Sequence, residues 1–156
     1  MNLDMEFNPF PKEQVSLHDC RITRIGCEPD AVVFYFQEGF TLIDGSSAKE
    51  TSAGQIQLHH CTIQDIECKL IKCKATKRGC KFSGREISID ALNKLLNKNH
   101  AIEIFLELYD VSFLYWRCEL YPPKRGGRSL FQHIVIEAND FSSITILYDD
   151  PESKHE

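Results

Sequence analysis

Apolar side chains recur at every second position along most of this chain, and that period constrains the fold more than any other property of the sequence. In AIEIFLEL, residues 101–108, the residues Ile102, Ile104, Leu106 and Leu108 share one face of an extended segment. The runs VSFLYWRCEL (111–120), LFQHIVIEA (130–138) and SITILYD (143–149) repeat the pattern with β-branched and aromatic residues. Successive side chains of a strand point to opposite faces, so each run can bury one face and leave the other to water. Further strands are expected at 15–27, 31–37, 40–43, 55–75 and 80–84. Short turns join most of them, which makes sequence neighbours antiparallel. The predicted fold is mainly β, an antiparallel sandwich or partly open barrel of about eight strands with one α-helix.

That helix is SIDALNKLLNKN, residues 88–99, with Ser88 or Asp90 as N-cap and Leu92, Leu95 and Leu96 on one stripe. Lys94 and Lys98 sit where a cation suits the C-terminal end of the helix dipole. Ahead of it, a turn at Thr76-Lys77-Arg78-Gly79 fixes a hairpin register. With those residues as the loop, Ala75 faces Cys80 and Cys73 faces Phe82, which gathers Ile71, Cys73, Ala75, Cys80 and Phe82 on one side. A loop one residue shorter would set Phe82 against Lys74. The polar run DGSSAKETSAG, residues 44–54, has no apolar anchor and reads as a mobile loop. Residues 1–14 and 150–156 read as frayed ends.

At 156 residues the chain has the size of a single domain. Hydrophobic residues at 42% and charged residues at 26% place it with soluble globular proteins. The start, MNLDMEFNPFPKEQ, has no basic patch leading into an apolar run, and no apolar stretch is long enough for a membrane span. A cytoplasmic location is expected, and with it reduced thiols for the seven cysteines.

Two stretches resemble each other. LHDCRITRIGC (17–27) and LHHCTIQDIEC (58–68) align at an offset of 41, matching Leu17 with Leu58, His18 with His59, Cys20 with Cys61, Ile22 with Ile63, Ile25 with Ile66 and Cys27 with Cys68. Each reads as a strand of the form His-x-Cys-x-Ile, a β-bulge, then Ile-x-Cys. If the copies were neighbours, His18, Cys20, His59 and Cys61 would supply two nitrogens and two sulfurs, a set that suits zinc. The simpler reading is a half-buried His beside a buried Cys in each strand, with no cofactor. Cys20 or Cys61 beside His18, His59 or His60 also raises a thiol nucleophile, but an apolar setting keeps a thiol protonated. A non-enzymatic protein is therefore expected.

Charge is distributed unevenly. Lys69, Lys72, Lys74, Lys77, Arg78, Lys81 and Arg85 fall in a segment with no acid, and subtracting those seven charges from the net −5 leaves −12 on the remainder. Lys77-Arg78-Gly79 ends the hairpin, and PPKRGGRS (122–129) holds Lys124, Arg125 and Arg128 beside paired glycines, so both tips are candidate anion sites. The acidity of the whole chain opposes non-specific nucleic-acid binding. VVFYFQEGF and FLYWRCELY are apolar on both faces, so Tyr35, Phe113, Tyr115 and Trp116 are candidate interface residues for a protein partner or a second copy. The leading expectation is a binding module whose acidic body suits a basic partner, with zinc binding and anion or nucleic-acid binding as alternatives.

Overall fold

In a computed structural model of the chain, the structure describes residues 11, 14–123 and 132–149. The alternating runs become strands β1 (Val15–Ser16), β2 (Arg21–Ile22), β3 (Arg24–Glu28), β4 (Ala31–Phe36), β5 (Thr41–Asp44), β6 (Ser47–Glu50), β7 (Ala53–His59), β8 (Ile66–Thr76) and β9 (Gly79–Glu86). After the helix α1 (Ile89–Asn97) come β10 (Ala101–Asp110), β11 (Phe113–Tyr121), β12 (Gln132–Asn139) and β13 (Ser143–Asp149). All pairings are antiparallel, in a six-stranded sheet β2-β10-β11-β12-β8-β9, a four-stranded sheet β13-β7-β4-β3 and a small sheet β1-β5-β6. The sheets do not close into a barrel, so the sandwich is the better description. Among the described residues there are thirteen strands rather than the expected eight or so, since 15–27 is divided into three, 55–75 into two, and β6 is added.

One core cluster lies between the two larger sheets. Val32, Phe34, Phe36, Ile56, Leu58, Ile144 and Ile146 line one side, and Ile102, Ile104, Leu114, Trp116, Cys118, Ile134 and Ile136 line the other, all buried. Trp116 sits at the centre, edge-on to Phe34 with ring centroids 4.8 Å apart. Such edge-to-face contact favours aromatic pairs by ~0.5–1.5 kcal/mol beyond the area they bury.

Residues 44–54 are not the loop expected from their composition. Asp44 pairs with Ser47 across a tight turn with Gly45 at φ 59°, and β6 continues to Glu50 opposite Thr41. The hydroxyl of Thr51, buried at the end of this hairpin, accepts from Phe40 N–H at 2.9 Å. Backbone pairing and that bond hold a segment whose side chains offer no apolar anchor.

The repeated stretch is a corner rather than a strand. Asp19 and His60, aligned at the offset of 41, are both left-handed, with φ 63° and 50°. In the first copy the chain leaves the small sheet at Ser16, turns, joins the six-stranded sheet as β2 and then the four-stranded sheet as β3. In the second it passes from β7 in the four-stranded sheet through a 3₁₀ turn, Ile63–Asp65, to β8 in the six-stranded one. Leu17 and Leu58 are fully buried before the turn, Cys20 and Cys61 are buried after it, and Ile25 and Ile66 are buried farther on. Each copy is thus a passage between layers, with a leucine and a cysteine inserted on either side of the bend. The likeness fails at Ile63, which is exposed where Ile22 is buried, and at Cys27, which is exposed where Cys68 is buried.

The first corner distorts its neighbour. Asp19 N–H donates to Ile104 O at 2.8 Å and Ile104 N–H donates to Cys20 O at 3.0 Å. Immediately after Ile104 the register of β10 against β11 slips at Phe105. The slip reverses the faces: Leu106 and Leu108, expected beside Ile102 and Ile104, are 39% and 51% exposed. Glu107 and Tyr109 turn inward instead. The Glu107 carboxylate accepts from Leu17 N–H, and Tyr109 hydroxyl donates to Glu107 at 2.6 Å while accepting from the Trp116 indole at 3.0 Å.

The helix matches its sequence signature. Ser88 hydroxyl caps it by accepting from Ala91 N–H at 3.1 Å, and Ile89 and Leu92 are buried. The Asn93 carboxamide accepts from Ile25 N–H at 3.0 Å and donates to Ile25 O at 2.8 Å, so it closes part of the free edge of β3. Among the described residues no helix is long and apolar enough to cross a membrane.

Candidate functional site

The proposed zinc ligands do not converge. His18 pairs with Asp19 at 3.0 Å, and His59 contacts the Thr145 hydroxyl at 2.7 Å. His60 contacts Ser142 and approaches Asp30 at 3.5 Å. Among the described residues no group of three His, Cys, Asp or Glu side chains is arranged to hold a metal ion, so His18, Cys20, His59 and Cys61 are corner and core residues. They separate because the first corner leads into β2 and the second into β8, with β10, β11 and β12 between them in the sheet, and no strand of one copy pairs with a strand of the other.

The thiols beside those histidines are held protonated. Burial pushes the Cys20 thiol up to about 11 and the Cys61 thiol up to about 12. Cys68 is likewise pushed up to about 12, and Cys118 is raised by burial as well. A nucleophilic cysteine needs the opposite shift, from nearby positive charge or a helix N-terminus.

The candidate interface residues are divided between the core and two outer faces. Trp116 is fully buried and serves the core, because its side of β11 faces the opposing sheet. Phe113 and Tyr115 are half-buried on the outer face of the six-stranded sheet. Tyr35 lies on the outer face of the four-stranded sheet, where the Arg24 guanidinium stacks 4.0 Å over its ring. That stacked pair borders an open groove of about 530 Å³ lined also by Gln55, Leu147 and Tyr148.

The feature that stands apart is the β8–β9 hairpin. Its register is the one expected: Thr76 opposite Gly79, Ala75 opposite Cys80, Lys74 opposite Lys81 and Cys73 opposite Phe82. Pairing of β8 with β12 is described as far as Lys72 and Gln132, and among the described residues, 73–76 pair only with β9. Every residue of β9 is exposed. Gly79 has φ 126°, a conformation that a side chain would strain, and Thr76 hydroxyl donates to its carbonyl at 2.8 Å to close the turn.

Period two sorts this hairpin into unlike faces. Ile71, Cys73, Ala75, Cys80 and Phe82 lie on one, with Phe82 65% exposed. Lys72, Lys74, Lys81 and Arg85 lie on the other, and Lys77 and Arg78 form the tip. Lys69 falls on the apolar side and reaches Glu67 at 3.9 Å. Among the described residues no carboxylate pairs with the other six cations. Lysines directly opposite across an antiparallel pair repel, which makes Lys74 and Lys81 a local cost to stability.

Lys124, Arg125 and Arg128 lie outside the described residues. The strand ends that bracket them, Tyr121 and Gln132, are at the same end of the six-stranded sheet as the hairpin tip, since Gln132 pairs with Lys72. Sequence reasoning found the hairpin through its charge and register. It missed Glu107 and Asn93: a bulge inverted the face of the first, and only the polar edge of the helical stripe hinted at the second.

Comparison with protein-family models, with curated proteins and with solved structures finds no match. The fold and this surface define a β-sandwich-like chain that carries a basic, two-faced hairpin on an acidic body.

Proposed function

We propose that this chain is a non-enzymatic binding module that takes an acidic segment of a partner protein on the β8–β9 hairpin. The observation that carries the reading is the opposed pair Lys74 and Lys81, set among four further cations that no described carboxylate neutralises. Repulsion built into an exposed hairpin is relieved by an acidic ligand, so binding recovers free energy that folding gave up. Net charge alone suggested a basic partner, but the charge that is concentrated and exposed on one element is positive. Nucleic acid fits less well, because single-strand binding needs aromatic rings among the cations and Phe82 lies on the face opposite to them.

The test is fluorescence anisotropy with two labelled probes, a peptide of alternating glutamate and valine and an oligothymidylate, at low and at physiological ionic strength. The peptide should bind, more weakly as salt rises, and Lys74→Glu with Lys81→Glu should weaken it by about tenfold or more, equivalent to ~1.4 kcal/mol. Preference for the oligothymidylate, or peptide binding untouched by the two reversals, would overturn the proposal.

A further inference from the structure

β9 ends the strand order of the six-stranded sheet, and the pattern of its backbone bonds says which groups are spoken for. Ile87 N–H donates to Cys68 O at 2.9 Å, and the turn closes on the pair Thr76 and Gly79. In an antiparallel ladder bonded and non-bonded pairs alternate, so Gly79, Lys81, Ser83 and Arg85 turn their N–H and C=O toward β8. Cys80, Phe82, Gly84 and Glu86 turn theirs outward, along an edge that no described strand covers. The edge of β3, by contrast, is partly closed by Asn93, and β2 is only two residues long.

From this we infer that the acidic segment binds as an added strand, hydrogen-bonded to the outward groups of Cys80, Phe82, Gly84 and Glu86. The inference rests on the proposed function and specifies its geometry. A strand laid there places alternate residues on the two faces of the hairpin. Those opposite Lys81, Ser83 and Arg85 meet the basic face and are acidic; those opposite Cys80, Phe82 and Gly84 meet the apolar face and are apolar. The ligand is therefore an extended segment with Asp or Glu at every second position and apolar residues between. A second copy of β9 is a poor occupant, since self-pairing through the outward groups gathers Lys81 and Arg85 of both copies on one face, and the register centred on Ser83 sets them directly opposite. Exposed lysines commonly guard an edge against its own kind, and here they leave it open to a strand of opposite charge.

The test uses the full chain and the glutamate–valine peptide in two N-methylated forms, one methylated at every glutamate and the other at every valine. Only one edge of an added strand faces β9, so one form should lose about tenfold or more in affinity and the other should bind as the parent does. Gly84→Pro, which removes an outward N–H and leaves the β8 ladder intact, should weaken the parent peptide similarly, with Trp116 fluorescence confirming the native fold. Equal behaviour of the two methylated forms, or no effect of Gly84→Pro, overturns strand addition; if Lys74→Glu with Lys81→Glu still abolishes binding, the hairpin reading survives that result. Peptide binding that ignores the lysine reversals overturns both.

Discussion

Replacing Asn93 with Ala isolates what holds the helix to the sandwich. Its carboxamide makes two hydrogen bonds to one residue, accepting from Ile25 N–H at 3.0 Å and donating to Ile25 O at 2.8 Å. Two such bonds contribute ~1 kcal/mol each, and the half-buried backbone groups they leave unpaired add roughly 1 kcal/mol, since water reaches them only in part. Alanine returns up to ~0.7 kcal/mol through its better helix propensity. The net expectation is a loss of about 2 kcal/mol, a large share of a stability on the order of 5–15 kcal/mol. Urea unfolding followed by fluorescence measures it directly, because the chain has one tryptophan and Trp116 is fully buried. Asn93→Asp keeps the acceptor but turns a carboxylate toward the Ile25 carbonyl, so it should cost at least as much. A loss below ~0.5 kcal/mol in both variants would refute the clasp and leave the apolar stripe of Ile89, Leu92, Leu95 and Leu96 as the attachment.

Burial raises the Glu107 carboxyl above its ordinary value, so the folded state favours the protonated form and its contribution is fully present below the carboxylate range. That contribution is lost as pH rises through the raised value, so wild type should lose stability relative to Glu107→Gln as pH rises above the ordinary carboxylate range; a pH-independent difference in urea midpoint would refute it. The left-handed corner at His60 predicts that His60→Val costs ~1–2 kcal/mol in thermal unfolding while His60→Gly does not, and equal effects would deny a conformational role to that bend. Thiol titration of the native protein should show Cys27, Cys73 and Cys80 reacting first and Cys20, Cys61, Cys68 and Cys118 only on unfolding; early reaction of any buried thiol would contradict the core described.

The parts legible in the sequence were those decided by neighbours a few positions apart. The hairpin register followed from keeping Ile71, Cys73, Cys80 and Phe82 on one face, and the helix from its Ser88 cap and leucine stripe. What escaped was decided at long range. Nothing near Phe105 marks a bulge; it arises where the corner from residues 17–20 bonds into β10 and shifts its pairing. The repeated stretch was visible, but a left-handed Asp or His leaves no trace in hydrophobic period, so two bends between layers read as two bulged strands. For the same reason the four proposed metal ligands looked compatible until the corners sent them apart.

The first corner also orders events in time. Residues 15–28 contribute a strand to each of the three sheets, and in the six-stranded one Arg21 lies beside Glu103, 82 positions later. A chain emerging from the ribosome cannot seat β2 until β10 exists, and Leu17 stays without its Glu107 partner for as long. Closure of such distant pairs makes folding slow, and it leaves Leu17 and Ile22 uncovered until β10 has been made.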